Sequence, residues 1–306
     1  MIGLILVWYS FHKISFTDLS FYLKNIDYPW VYFGAVLGFL SHLSRAYRWK
    51  FLIEPLGYKL RFPNSFMAVF SGYLINYTIP RAGEVSRATI LSNYEKVPFE
   101  KGFGTIVAER VADILVMVFI VIVALLWKFN VICNFLFQNI DFQNQLLILS
   151  PLVLFLFFCL YQIIKKSNHA FFVKIRSFLS GFAEGLMSIL KMRQKWYFIA
   201  HTLFIWAMYI LMFYVTSHSI ARISYLDFSI ILIGFIAASF SVAATNGGIG
   251  AYPLAVYAAF SIFEVPEAPS LAFGWVIWTS QTILIIIIGG LSLILIPIYN
   301  KFYPKS

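Results

Sequence analysis

Apolar runs long enough to cross a bilayer follow one another along this chain. Gly102 to Trp127, Leu146 to Ile164, Trp196 to Val215 and Leu271 to Tyr299 each approach or exceed the roughly 20 residues that a helix needs to span a hydrocarbon core. Tyr28 to Ser44 adds another. Met1 to Phe11 is read as a first span lacking part of its usual N-terminal end, because it has neither the basic n-region nor the small-residue cleavage site of a signal peptide. In hydrocarbon, backbone amides and carbonyls must be satisfied within the segment, so such runs are helices. Composition agrees. Apolar residues make up 61% of the 306 and charged residues 12%, about half the charged share of a soluble domain. Mean hydropathy is +0.82. A soluble globular enzyme, a disordered chain and a coiled coil are excluded. The expected fold class is an all-α integral membrane protein, a single polytopic domain over 1–306 with about six full transmembrane helices and two broken or re-entrant helical hairpins.

The hairpins are expected where proline and glycine interrupt apolar sequence. Phe66 to Ile79 is too short to cross and lies between Pro63 and Pro80, which suggests a re-entrant segment over 63–87. Phe228 to Phe263 is apolar throughout but carries Asn246, Gly247, Gly248, Gly250 and Pro253 at its middle. Three glycines in four residues cannot continue a stable helix, so 228–263 reads as a broken hairpin. Two interrupted segments, one in each half and entered from opposite sides, are the pattern of an inverted-repeat transporter with a site near the midplane. That symmetry rests on hydropathy and charge, since the halves show no residue-level repeat. Over 169–191, Phe171, Phe172, Ile175, Phe178, Leu179 and Phe182 recur at helical spacing. This is an amphipathic helix, lying either in the cytoplasmic interface or against the bundle.

Basic residues give the orientation. Segments 45–62, 81–101 and 165–195, with Lys301 and Lys305, hold 18 of the 23 Lys and Arg. By the positive-inside rule these loops and the C-terminus face the cytoplasm. The net charge of +10 therefore reflects loop bias and attraction to anionic headgroups, not nucleic acid. Cys133 and Cys159 are 26 residues apart in apolar surroundings and the five histidines are scattered, so no disulfide, metal or other cofactor is expected.

Three constellations are candidates for chemistry. In the first, Asn76, Pro80, Arg81, Gly83, Glu84 and Arg87 join a helix-breaking turn to three charges at i, i+3 and i+6. Charges this close to apolar sequence are costly unless paired or facing water. Two arginines could grip a phosphate with Glu84 between them; the alternative is a solvated cytoplasmic turn. In the second, Glu109 and Asp113 share one face of a span, with Arg110 beside it. Like carboxylates need a cation, which Arg110, Arg81 or Arg87 could supply, and the group marks either a substrate path or a packing salt bridge. In the third, the break at Asn246, Gly247, Gly248 and Gly250 exposes backbone groups to a ligand or is a tight turn between packed helices. Arg45 and Arg48, with Trp49, end the second span as snorkelling anchors or as a collar for lipid phosphate.

The pattern Arg45-x-x-Arg48-Trp49, Asn76-x-x-x-Pro80-Arg81-x-Gly83-Glu84-x-x-Arg87, Glu109-Arg110-x-x-Asp113 and Gly247-Gly-Ile-Gly250 resembles the flippase-like membrane domain of lysylphosphatidylglycerol synthases. The resemblance covers nearly the whole chain. It implies movement of a lipid between leaflets of the bacterial inner (cytoplasmic) membrane, with the aminoacyltransferase domain of full synthases absent from a sequence that stops at Ser306. Family members often carry Pro where this chain has Asn246, and Glu where it has Pro253.

The expected function is therefore a flippase-like transporter of an anionic or phosphate-bearing lipid. Arg81, Arg87 and Arg110 would bind the headgroup, Glu84, Glu109 and Asp113 would balance the charge, and 247–250 would form the opposing wall. The alternatives are an integral-membrane transferase using Glu84, Glu109 and Asp113, and a non-catalytic subunit that recruits a lipid-modifying enzyme through 165–195. Membrane lipids are the expected partners, with a homo-oligomer left open.

Overall fold

A computed structural model of the chain describes residues 2–13, 16–129, 131, 173, 187 and 189–305. The expected span Leu146–Ile164 lies outside the described residues, as does the amphipathic segment 169–191 apart from 173, 187 and 189–191. Among the described residues all regular structure is helical: α1 (Ile2–Lys13), α2 (Phe16–Lys24), α3 (Tyr28–Arg48), α4 (Lys50–Ile53), α5 (Phe62–Thr78), α6 (Ala82–Glu95), α7 (Phe99–Trp127), α8 (Lys195–Ser217), α9 (Phe228–Ala244), α10 (Ala251–Ser261) and α11 (Glu267–Phe302). Of these, α7, α8 and α11 are each long and apolar enough to cross a membrane. The protein is a multi-pass, all-α membrane protein.

Prolines set several helix starts. Pro29 and Pro63 sit in the first turns of α3 and α5, where a missing N–H costs nothing because that donor has no intrahelical acceptor. The chain between Pro63 and Glu95 folds as two antiparallel helices, α5 and α6, joined by a break at residues 79–81. α5 begins at Phe62, so the descending helix is 17 residues long, about 25 Å at 1.5 Å per residue. The 14-residue apolar run understates it, because Asn64 and Ser65 are polar yet fully packed. The second hairpin pairs α9 with α10 across a break at 245–250.

α11 organises both hairpins. Its 36 residues extend about 54 Å. Near its C-terminal end Asn300 exchanges hydrogen bonds with Asn64 at 2.8 Å. Gly289 lies against the Phe70 carbonyl and Leu74. Farther up, the Thr282 and Tyr77 hydroxyls are 3.2 Å apart. Near its N-terminal end Gly274 packs on Pro253 of α10. The α5–α6 hairpin thus lies along one end of α11 and the α9–α10 hairpin along the other. Their tips meet where the Tyr77 ring fills the space beside Gly247. Trp278 clamps this junction by donating its indole N–H to the Gly247 carbonyl at 2.8 Å. Two apolar cores flank it, one around Phe213, Phe235, Phe260 and Phe273 and the other around Trp49, Leu91, Ile106 and Phe198.

The first hairpin closes through glycine. A methyl at Gly83 would overlap the backbone carbonyl of Gly72, so α5 and α6 approach more closely than any side chain allows. Asn76 Oδ1 accepts the Gly83 N–H at 2.8 Å and braces the same contact. Gly83→Ala is expected to destabilise the protein by about 1–3 kcal/mol through overpacking. The readout is a lower thermal midpoint in detergent. Gly104→Ala, on a face of α7 with open space beyond it, should leave that midpoint unchanged or raise it.

Candidate functional site: a buried arginine–carboxylate cluster

α3, α6, α7 and α8 bring five ionised side chains and one hydroxyl together inside the bundle. Glu109 and Asp113 lie one turn apart on α7 and present the same face. Arg45 Nη1 donates to Glu109 Oε1 at 2.7 Å and to Asp113 Oδ2 at 2.6 Å. Arg48 Nη1 donates to Asp113 Oδ1 at 3.1 Å and to the Thr202 hydroxyl at 2.7 Å. From α6, Arg87 Nη2 donates to the other Glu109 oxygen at 2.9 Å. Arg48 and Glu109 are both 0% exposed. Arg87 stacks 4.2 Å over the Trp49 ring and Arg48 4.9 Å over Phe198, which gives the guanidinium faces favourable apolar cover. The Trp49 indole donates to Thr105 at 2.9 Å, fixing the stacking surface.

The buried group holds three arginines against two carboxylates. Its donors outnumber its acceptors. The Nε atoms of Arg45, Arg48 and Arg87 bond to none of the described residues, and Arg48 Nη2 lies 3.1 Å from Glu109 Oε1 without the alignment of a hydrogen bond. A second, more open pair borders it. Arg110 Nη2 donates to Glu84 Oε1 at 2.8 Å, with Arg110 39% and Glu84 22% exposed at the side chain. Arg110 Nη1 is 3.9 Å from Asp113. Asn76 Nδ2 reaches the other Glu84 oxygen at 3.4 Å. Counting both layers, four arginines face three carboxylates.

Arg81 lies apart. With Ile79 and Pro80 it forms the exposed hairpin tip. It has φ 61°, a left-handed conformation that costs a residue with a Cβ about 1–3 kcal/mol and clusters at functional sites. It is not the counter-ion of Glu109 or Asp113. Arg87 fills part of that role, and Arg45 and Arg48 fill the rest. The reading of Arg45 and Arg48 as snorkelling anchors is overturned. They point inward, because two carboxylates across the α3–α7 seam repay their desolvation.

The glycine break is separate from these charges. Gly247, Gly248 and Gly250 have φ of 63°, 78° and 69°, the left-handed region that glycine enters without steric cost. Asn246 is exposed. Among the described residues no hydrogen bond or ion pair joins 246–250 to the arginine cluster. Its neighbours are Tyr77, Trp278 and the α1 backbone at Leu6–Val7. Thr202, Tyr77, Trp278 and Thr282 carry no sequence pattern that marks them, and only tertiary contact gives each a role. A further polar knot forms at the base of the first hairpin. The buried Glu95 carboxylate meets Arg61 at 2.9 Å, Asn64 at 2.5 Å and Lys305 at 2.8 Å.

Residues 1–290 match the family described as the lysylphosphatidylglycerol synthase TM region. The chain belongs to that family. A relative, the UPF0104 membrane protein MJ1595 of Methanocaldococcus jannaschii, is 37% identical over 100 residues, 32% of this chain and 30% of that protein's length. No solved structure matches the chain. In this member of the lysylphosphatidylglycerol synthase TM family, the arginine–carboxylate cluster is the most concentrated set of buried charge among the described residues.

Removing one carboxylate should expose how strongly the cluster is coupled. Glu109→Gln leaves three guanidinium groups facing Asp113 alone and is expected to cost about 3–5 kcal/mol, as for other broken buried pairs. Pairing it with Arg87→Met should recover part of that loss, measured as non-additive shifts in thermal midpoint across the double-mutant cycle.

Proposed function

We propose that the protein moves an anionic or phosphate-bearing lipid, either a phospholipid or a polyprenyl-phosphate-linked molecule, between the leaflets of a cytoplasmic membrane such as the bacterial inner membrane. The observation that carries this reading is the surplus of arginine over carboxylate buried against α7, a helix long and apolar enough to cross a membrane, beside a hairpin tip. Intramembrane ionisable groups mark substrate or ion paths, and a net positive, donor-rich cluster attracts an anion.

The parts take different roles. Arg81, exposed and free of any ion pair with the described residues, is the first contact for a headgroup phosphate. Arg110 is the second. Its bond to Glu84 is partly exposed, so a phosphate can compete for it while Asn76 retains Glu84. Arg45, Arg48 and Arg87 are locked on Glu109 and Asp113, and they contribute field more than direct contact. Tyr77, Gly247 and Trp278 close the path where the hairpin tips meet. On this reading the C-terminus faces the cytoplasm, which the positive-inside rule supports; Lys305 and Tyr303 join Arg61 and Glu95 at the base of the first hairpin, among basic residues. The sequence has no nucleotide-binding motif, so any drive would come from a gradient or a partner. The transferase reading is less favoured because Glu109 and Asp113, its would-be base or metal ligands, are already taken up by guanidinium groups.

Purified protein in liposomes tests the proposal. Wild type should accelerate the exchange of a fluorescent anionic lipid between leaflets. Arg81→Ala and Arg110→Ala should each slow it by roughly 10- to 100-fold, the worth of one charged hydrogen bond at about 1.5–3 kcal/mol. Wild type matching empty liposomes across a panel of anionic lipids overturns the proposal.

A further inference from the structure

The three carboxylates of the arginine cluster are held unequally. Glu109 has Arg45, Arg48 and Arg87 around it, and Asp113 has Arg45, Arg48 and Arg110. Among the described residues Glu84 has one guanidinium partner, Arg110, on Oε1. Its Oε2 takes the longer bond from Asn76 Nδ2 at 3.4 Å. The Asn76 amide is oriented toward Glu84 because its Oδ1 accepts the Gly83 N–H at 2.8 Å. Glu84 is also the most open of the three, with its side chain 22% exposed against 10% for Asp113 and 0% for Glu109.

The surroundings of Glu84 make it the place where the cluster can accept a proton. On its own helix Arg81 and Arg87 stand three residues to either side, Arg81 at the exposed tip and Arg87 committed to Glu109. α5 presents Asn76 and the Tyr73 phenol, which lies within electrostatic reach of Arg110 and Arg87. α7 presents Arg110, whose Nη1 is 3.9 Å from Asp113. Arg45 and Arg48 on α3 are spent on Glu109 and Asp113. An oxyanion that takes hold of Arg110 therefore competes with Glu84. Two anions sharing one guanidinium repel each other, which favours protonation of the carboxylate with the weaker remaining contacts. The resulting carboxyl group keeps its Asn76 bond through the C=O and donates its O–H to the anion, a short charge-assisted bond. Net charge favours the same outcome. Four guanidinium groups against three carboxylates leave one positive charge, so a dianion overshoots neutrality by one and a proton restores it.

We propose that Glu84 is a proton-binding site linked to anion binding at Arg110. The arriving anion takes Arg110 Nη2 from Glu84, and one proton from solution goes to the vacated Oε1. When the anion leaves, the proton returns to solution and Arg110 to Glu84. An anion and a proton that bind as a unit tie the anion's distribution to a proton gradient. The inference rests on Arg110 as an anion contact in the transport reading and names the gradient that drives it.

Isothermal titration calorimetry of the purified full chain with sodium sulfate tests it. Sulfate stays a dianion throughout the range in which carboxylates titrate, so protons taken up belong to the protein. Runs in two buffers of different ionisation enthalpy should show uptake of about one proton per sulfate, with affinity rising up to about tenfold per unit fall in pH. Glu84→Gln, which keeps an acceptor for Asn76 and removes the proton site, should bind sulfate without uptake and with an affinity indifferent to pH. Arg110→Ala should lose both binding and uptake. Sulfate binding by wild type without proton uptake, uptake unchanged in Glu84→Gln, or no sulfate binding overturns the inference; the first two leave transport standing. In liposomes an imposed pH gradient should bias the steady-state leaflet distribution of a fluorescent anionic lipid, and Glu84→Gln should abolish the bias. Leaflet exchange by wild type with no such bias overturns the coupling alone. Wild type matching empty liposomes overturns the transport reading, and the calorimetry still decides whether Glu84 is a linked proton site.

Discussion

The Glu109 carboxylate is the point on which the packing of α3, α6 and α7 depends. One oxygen accepts from Arg45 on α3 and the other from Arg87 on α6, and Asp113 one turn along receives Arg45 and Arg48. The bonds run from two separate helices, α3 and α6, to one face of α7. Burying any of these ions alone would be prohibitive, and their mutual attraction offsets desolvation only because the geometry is satisfied on both carboxylates. The cluster therefore acts less as a source of stability than as a specification. It permits one register of α3, α6 and α7, and a slip of one residue would leave an unpaired charge in hydrocarbon.

That specification explains how α6 can exist where it does. Its sequence is close to neutral in hydropathy, with Glu84, Arg87, Asn93 and Glu95 along 14 residues, and it would not enter a bilayer unaided. Each charged group meets a partner: Glu84 meets Arg110, Arg87 meets Glu109, and Glu95 meets Arg61, Asn64 and Lys305. The apolar α5 carries α6 inward, and the Gly72–Gly83 contact holds the two together. α11 then provides the surface along which this hairpin and the α9–α10 hairpin approach each other from opposite ends.

Length and hydropathy made the all-α class and the two interruptions legible, because glycine, proline and charge act locally. Glu109, Asp113, Arg45 and Arg48 stood out in the sequence for the same reason. Their pairing did not. Arg45 and Arg48 end a helix amid basic sequence, which locally describes an anchor equally well, and only the carboxylates presented by α7 turn them inward. Conversely, Arg81 resembles Arg87 in sequence, yet six residues of helix separate an exposed tip from a buried ion pair. The junction of Tyr77 with Gly247 joins positions 170 apart, and no periodicity announces such a contact.

The two polar knots of the first hairpin show what distinguishes a staple from a site. At the base, Arg61 and Lys305 outnumber Glu95, but the surplus donors find backbone oxygens: Arg61 bonds the carbonyls of Tyr94 and Tyr303, and Lys305 those of Lys59 and Glu95. Every charge there is consumed in tying the last residues of the chain to the hairpin. Closer to the tip the surplus is not consumed. Three guanidinium Nε groups bond none of the described residues, and Arg110 holds its carboxylate in a partly exposed bond. A cluster meant only to fasten helices gains nothing from unspent donors, which carry a desolvation penalty. On the function proposed above, the same donors would lower the energy of an anionic headgroup that reaches the cluster.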